Sequence, residues 1–132
     1  MLITEELAKR LTDQKLLENK NLMVLKVGDD PKKLLKLTQE ELKPVRDKLM
    51  APLGIKFDAP NKVSIYLMGD NTLILENFND NPVDVTLEMA KVSSLTPKLT
   101  IPVQGKVFVS KSNNIFSIKE LSPRTLVAFE FK

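Results

Sequence analysis

The side chains with the clearest chemical potential are oxygen donors crowded into two polar turns. Five of them are candidate ligands of a hard cation: Asp70, Asn71, Asn77, Asn79 and Asp80. Calcium takes about six to eight oxygen ligands from carboxylates, amides and carbonyls, so this cluster predicts a calcium-stabilised loop. Ordinary turns select the same residue types for their backbone tolerance, and the spacing matches no defined calcium loop. Ordinary turns are therefore the favoured interpretation, and a calcium-stabilised loop is the alternative.

Residue types that are missing exclude most catalytic chemistry. The chain contains no His and no Cys among its 132 residues. Serine and cysteine nucleophiles usually need imidazole as a base, and zinc sites need imidazole or thiolate ligands, so none of these is expected. Disulfides are excluded for the same reason. The four glycines are too far apart for a phosphate-binding loop or a dinucleotide fingerprint, and no cofactor is expected.

Carboxylate chemistry is what remains for catalysis. A small glycosidase needs two acidic side chains that face each other across a cleft, in environments that separate their pKa values. Here Asp and Glu mostly alternate with apolar residues on strands or lie in polar turns, and both are solvated positions. A charged outer surface is favoured over an acidic active pair, so we predict that the chain is not an enzyme.

Sugar binding without catalysis depends on exposed aromatic rings. The chain has no Trp and a single Tyr, Tyr66. Tyr66 alternates with Ile65 and Leu67, so its ring is expected on the face opposite to theirs, where it is the candidate ligand-binding residue. Four Phe residues lie in apolar segments and are predicted to belong to the core: Phe108, Phe116, Phe129 and Phe131.

The elements that must position these residues change character near residue 61. Residues 1–60 are typical of helices around one strand, the apolar run 21–27, with Thr4 and Thr38 as helix caps. The later residues alternate in polarity, most clearly at 83–87. The candidate strands there are 63–68, 73–75, 83–87, 98–103, 106–110, 115–118 and 125–131. We therefore predict a mainly β chain: an α/β lead-in over 1–60, incomplete as a domain, and an antiparallel β-sandwich of about seven strands over 61–132.

Charge and hydropathy define the expected surroundings of the chain. Lys and Arg number 20 against 17 Asp and Glu, and the lysines are scattered, so no nucleic-acid partner is expected. No signal-peptide pattern opens the chain, and no apolar run approaches the ~18 residues that span a bilayer. A soluble protein without a membrane partner, cytoplasmic as encoded, is predicted. The lone strand of the lead-in would expose unpaired backbone groups, which favours a protein partner or self-association as a homodimer through that strand edge.

Several segments of the second half resemble the C-terminal β-sandwich region of large bacterial glycoside hydrolases. These segments are Val63-Ser64-Ile65-Tyr66-Leu67, Gly69-Asp70-Asn71, Leu75-Glu76-Asn77-Phe78-Asn79-Asp80, Val83-Asp84-Val85-Thr86-Leu87 and Leu121-Ser122-Pro123-Arg124-Thr125-Leu126-Val127. Residues 3–54 are similar to the last strand and helices of the α/β domain that precedes such a sandwich. The resemblance implies that catalysis lies in an upstream barrel, so no catalytic residue is carried over.

The predicted function is a non-catalytic accessory or interaction module of the type attached to carbohydrate-active enzymes. A carbohydrate-binding module is one alternative, with a carbohydrate as its partner. A small carboxylate-dependent glycosidase is the other.

Overall fold

A computed structural model describes residues 2–28, 30–103 and 107–132. The chain forms two compact units, the first ending at Leu37 and the second running Thr38–Lys132. This boundary lies earlier than the predicted division at residue 60. The reason is that residues 39–58 pack with the strands that follow them.

The first unit is a small α/β arrangement. Its elements are strand β1 (Leu2–Thr4), helices α1 (Glu5–Arg10) and α2 (Gln14–Leu17), strand β2 (Met23–Leu25) and the 3-10 helix Pro31–Lys36. The two strands pair in parallel, with Ile3 opposite Val24. Thr4 caps α1 as predicted, because its hydroxyl accepts a hydrogen bond from the Leu7 N–H. The prediction of a single strand missed β1, whose three residues are too few to show a period before the helix begins.

The second unit is a β-sandwich preceded by a helix. Its elements are helix α3 (Gln39–Met50), the 3-10 helix Ala51–Leu53, and strands β3 (Ile55–Asp58), β4 (Val63–Met68), β5 (Thr72–Asn77), β6 (Val83–Met89), β7 (Leu95–Ile101), β8 (Val109–Ser112), β9 (Ile115–Leu121) and β10 (Thr125–Phe131). Sheet I has the strand order β4-β5-β10-β7, and sheet II has the order β3-β6-β9-β8. All strand pairs in both sheets are antiparallel.

The predicted mainly β sandwich is confirmed, with one strand more than expected. Seven of its eight strands correspond to the candidate segments, although Lys106, the first residue of one candidate, lies outside the described residues. The additional strand is β3, four residues that follow Gly54 and were assigned to the lead-in. Four residues with two apolar members carry too little pattern to separate a strand from the end of a helical region.

The core lies between the inner faces of the two sheets. Leu75 and Phe129 of sheet I pack in the same buried cluster as Phe116 of sheet II, and all three are essentially inaccessible to solvent. The core assignments of Phe116 and Phe129 are therefore confirmed, and Phe131 packs against the cluster while partly buried. Phe108 is 73% exposed, so its core assignment is wrong. It lies just before β8, in a segment that no sheet covers.

Helix α3 is fastened to the sandwich by Arg46. Thr38 forms the predicted capping box at the start of the helix. The Arg46 guanidinium donates hydrogen bonds to the carbonyl oxygens of Ala59, Pro60 at 3.1 Å and Val63 at 3.3 Å. It also lies 4.7 Å from the ring centroid of Phe57. Burial lowers the pKa of Arg46, and the nearby Asp58 carboxylate acts in the opposite direction. One side chain thereby holds the connection between β3 and β4.

Helix length bears on the membrane question. The longest helix among the described residues is α3, with 12 residues, and none is long and apolar enough to cross a bilayer.

Candidate functional site

The structure separates the five candidate calcium ligands into two groups. Asp70 and Asn71 lie in the turn between β4 and β5, whereas Asn77, at the end of β5, precedes Asn79 and Asp80. The first five residues of β5 separate Asn71 from Asn77, which corresponds to roughly 20 Å between their Cα atoms. A single ion therefore cannot be ligated by all five residues. Among the described residues, no group of three or more acidic side chains is arranged to hold a metal ion.

Asn77 is the centre of a hydrogen-bond network that we call the corner lock. Its side chain is completely buried. The amide nitrogen Nδ2 donates to the carbonyl oxygens of Asn81, Leu121 and Ser122, each at 3.0 Å. The amide oxygen Oδ1 accepts from the backbone N–H of Asn79 at 2.9 Å and from Asn79 Nδ2 at 3.0 Å. Other groups of the chain therefore hydrogen-bond to both the nitrogen and the oxygen of the Asn77 amide. This candidate ligand has a structural role.

The rest of the corner lock joins three connections between strands. Asn79 Nδ2 also donates to the Asn61 carbonyl at 2.9 Å, and the Phe78 N–H donates to the Lys62 carbonyl at 2.9 Å. Asp80 accepts from Arg124 Nε at 2.9 Å and from its terminal nitrogen at 2.7 Å. The Asn-Phe-Asn-Asp segment thereby ties the connections β3–β4, β5–β6 and β9–β10 together. Sequence reasoning selected these residues as candidate calcium ligands because of their density of turn formers, and it did not predict their hydrogen bonds.

The outer face of sheet II is polar, and its carboxylates are paired with lysines. Glu88 lies 2.9 Å from Lys56 Nζ, and Asp84 lies 2.6 Å from Lys119 Nζ. The hydrogen bond from Lys56 lowers the pKa of Glu88. Hydrogen bonds from Lys119 and from the Glu120 backbone N–H lower the pKa of Asp84. These shifts keep the carboxylates ionised, which is opposite to the raised pKa of a general acid in glycoside hydrolysis.

The outer face of sheet I carries a strip of apolar side chains, with Glu76 and the Lys98–Glu130 ion pair beside it. Cross-strand neighbours run from Tyr66 through Ile74 and Ala128 to Leu99, and the next row brings Leu126 beside Ile101. We call the surface formed by these side chains the apolar face. Leu99, inside β7, is 51% exposed and Ile101, at its end, is 52% exposed, so large apolar side chains remain open to solvent on this face.

A break in the strand register produces the apolar face. Pro97 is opposite Phe129, and Leu99 is opposite the preceding residue, Ala128, so Lys98 is an extra residue in β7. An extra residue reverses the inside–outside alternation beyond it, and this turns Leu99 and Ile101 to the outer surface. Regular alternation assigns apolar strand residues to the core, so sequence reasoning missed this surface.

Tyr66 lies at one margin of the apolar face. Its ring is 44% exposed, which agrees with the expectation from its alternation with Ile65 and Leu67. Its hydroxyl donates to Glu76 Oε2 on the neighbouring strand at 3.2 Å. The structure thus combines an open aromatic ring with an adjacent carboxylate on a flat sheet surface.

A cleft of about 560 Å³ opens at one end of the sandwich. Its walls include Ile55, Leu67, Met89 and Phe131, and Asp70 is the acidic side chain among its lining residues. A two-carboxylate mechanism needs a second acid facing the first, and the described lining offers none.

Comparison with known proteins identifies the sandwich. A family model described as "Probable glycosyl hydrolase, C-terminal domain" matches residues 54–131. No curated protein and no solved structure gives a significant match. The matched segment contains all eight strands of the sandwich, from β3 to β10.

Proposed function

The chain belongs to the family of probable glycosyl hydrolase C-terminal domains, and on that premise we propose that it is a non-catalytic accessory module that packs against the hydrolase through its apolar face. The observation that carries this proposal is the contrast between the two outer surfaces of the sandwich. Sheet II presents two lysine–carboxylate pairs to solvent, while sheet I, which has one such pair between Lys98 and Glu130, presents the exposed side chains of Leu99 and Ile101 in its apolar face. Apolar surface that is contiguous and framed by polar residues is typical of protein interfaces.

Ion pairing of the acidic side chains with lysines supports a non-catalytic function. Glu88, Asp84 and Glu130 each lie within 3 Å of a lysine ammonium, and each has a lowered pKa whose first cause is the hydrogen bond from that lysine. Lysine-paired carboxylates on the outer faces of the two sheets do not donate a proton at neutral pH.

The dimensions of the apolar face suit docking to a covalently linked domain. Four strands at ~4.8 Å spacing and a strand length of roughly 20 Å give the whole outer face of sheet I, its polar side chains included, a projected surface of roughly 400 Å². Counting both partners gives roughly 800 Å², within the range of about 600–1,500 Å² for interfaces between domains of one chain. A linked partner is present at an effective concentration in the millimolar range, so a modest interface is sufficient for docking.

The test uses the hydrolase polypeptide in which this domain occurs, with substitutions in either outer face. The variant L99K/I101K places two lysines in the apolar face, and T86K/S117K adds the same charge to the polar face of sheet II. We expect the first pair to speed proteolysis between the two domains several-fold and to lower the melting temperature of the hydrolase. The second pair should leave both unchanged. Equal behaviour of the two variants would contradict docking through the apolar face.

A carbohydrate-binding module is the second candidate function, and the pairing of the Tyr66 ring with Glu76 is the observation that favours it. Sugars stack on open aromatic rings, and a neighbouring carboxylate accepts hydrogen bonds from their hydroxyls. Affinity electrophoresis in gels that contain soluble polysaccharides separates the two functions. Retardation of the wild-type chain that Y66A abolishes would support sugar binding. An accessory module that acts by protein contact predicts the same mobility with and without polysaccharide.

A further inference from the structure

The sandwich has four sheet edges, and three of them are protected against pairing with another strand. β3 packs against helix α3. β7 contains Pro97, Lys98 and the register break, and β8 has only four residues, one of them Lys111. Helices, prolines, bulges, charges and short strands are the usual means by which edges avoid pairing. β4, with the sequence Val-Ser-Ile-Tyr-Leu-Met, has no charge, no proline and no register break.

The hydrogen-bonding groups that β4 leaves open can be assigned from the pairing with β5. The Lys62 carbonyl accepts from the Phe78 N–H at 2.9 Å, so it points toward the β5 side. Alternate residues of an antiparallel strand direct their backbone groups to opposite sides. The N–H and C=O groups of Val63, Ile65 and Leu67 therefore point to the free edge, where Arg46 occupies the Val63 carbonyl at 3.3 Å. The backbone groups of Ile65 and Leu67 that face the edge are open, since β4 has only β5 as a strand neighbour in the described part of the chain.

We propose that a second copy of this chain pairs antiparallel with β4 about a two-fold axis that passes through Tyr66. In this register Ile65 of each copy lies opposite Leu67 of the other. Each of these pairs exchanges both of its N–H···O bonds, because opposite residues in hydrogen-bonded positions do so. The pairing uses the open backbone groups of Ile65 and Leu67, and it places Val63, whose carbonyl already accepts from Arg46, opposite Gly69 at the end of the ladder.

Side chains are complementary in the same register. Tyr66 lies opposite its own copy in a non-hydrogen-bonded position, where aromatic pairs stabilise neighbouring strands. Beyond the ends of the strand, Lys62 of one copy comes opposite Asp70 of the other, and the two-fold axis produces this pairing twice. Lys62 and Asp70 are both exposed. Because β4 itself has no charge, self-pairing places no like charges opposite each other.

The size of the edge sets the expected strength of the dimer. Six strand residues extend about 20 Å, so the interface belongs to the class below about 1,200 Å² that forms transient complexes. We therefore expect reversible dimerisation that becomes visible on the order of 1 mM protein. The pairing shares only Tyr66 with the apolar face, and Leu99 and Ile101 lie on β7, at the opposite edge of sheet I, so substitutions there leave the β4 edge unchanged.

The experiment combines sedimentation velocity with dityrosine cross-linking of the full chain. Tyr66 is the only tyrosine, so a dityrosine bond formed by light-driven ruthenium–persulfate oxidation reports symmetric contact at this residue. Wild type should dimerise with rising concentration and form the cross-link. L67P removes an N–H that faces the free edge only, and it should abolish both signals while circular dichroism shows the sandwich intact. L99K/I101K should dimerise like wild type.

Charge reversal tests the register itself. K62E converts both Lys62–Asp70 pairs into like-charge pairs and should weaken dimerisation roughly tenfold. The double variant K62E/D70K restores opposite charges and should restore wild-type dimerisation. A wild-type chain that stays monomeric at about 1 mM would overturn the proposal. A dimer that forms without the dityrosine cross-link would also overturn it. Equal weakening of dimerisation by K62E and by K62E/D70K would overturn it as well.

Discussion

Replacing Asn77 with aspartate should destabilise the sandwich more than any exposed substitution of the same kind. Asn77→Asp keeps the shape of the side chain but replaces Nδ2, which donates to three carbonyl oxygens at 3.0 Å, with an oxygen. The nitrogen has two hydrogens, so two donated bonds are lost, at a cost of about 1–3 kcal/mol for each unpaired buried group. We expect the free energy of unfolding to fall by about 4 kcal/mol, a large part of the 5–15 kcal/mol typical of a domain.

The same variant should acquire a specific pH dependence. Three carbonyl oxygens surround the new carboxyl group, so its charged form is disfavoured and its pKa rises in the folded state. A folded pKa above the unfolded value means that the folded state binds more protons, so stability increases as the pH falls through the folded pKa. The neutral acid also regains one hydroxyl donor. The deficit of N77D relative to wild type should therefore shrink on acidification.

Urea unfolding followed by circular dichroism measures both effects. With a slope of about 2 kcal/mol per molar urea, the midpoint of N77D should lie about 2 M below wild type at neutral pH. Asn81→Asp is the matched control, because Asn81 is exposed and contributes only its backbone carbonyl to the corner lock. N81D should remain within about 0.5 kcal/mol of wild type. A midpoint for N77D equal to that of N81D, or a deficit that grows in acid, would refute the structural role of Asn77.

Two further predictions concern the other polar contacts. Arg46→Lys keeps the charge but loses the planar group that donates to three carbonyl oxygens, so it should lower the free energy of unfolding by about 2 kcal/mol. Arg124→Lys, at an exposed ion pair, is the control, and urea unfolding measures both variants. Equal losses of stability in the two variants would contradict the structural role of Arg46. Asp84, Glu88 and Glu130 have lowered folded pKa values, so their contribution is present above their unfolded pKa and is lost as the pH falls through the folded pKa. The effect should be small and reduced by salt because these carboxylates are exposed. Unfolding curves of wild type and D84N/E88Q/E130Q across the acid range measure this effect, and a variant as acid-sensitive as wild type would argue against it.

The architecture of the sandwich could be predicted because its pattern is repeated in many strands. Alternation over 83–87 and 125–131 identified strands whose inner residues are now seen buried, and the resemblance to the C-terminal region of glycoside hydrolases is confirmed by the family match. The sequence pattern did not predict the short strands β1 and β3, which have three and four residues. At these lengths alternation alone does not define a strand, and β2, also three residues long, was predicted only because it lies inside the apolar run 21–27.

The candidate site was predictable only in part, for two physical reasons. Asn77 was identified by its composition, but whether an amide binds an ion or three carbonyls depends on Leu121 and Ser122, which are distant in sequence. The apolar face depends on the extra residue Lys98 in β7. A register break is decided by the pairing of two strands, and neither strand encodes it alone.

The most direct measurement is hydroxyl-radical footprinting of this domain, free and within the hydrolase polypeptide that the proposed function assigns to it. The reporters are Leu99 and Ile101 on the apolar face, with Ile115, which is 38% exposed on sheet II, as the internal control. An accessory module docked through the apolar face predicts several-fold slower labelling of Leu99 and Ile101 in the longer polypeptide and an unchanged rate at Ile115. Equal labelling of Leu99 and Ile101 in both forms, or protection of Ile115 in their place, would contradict it.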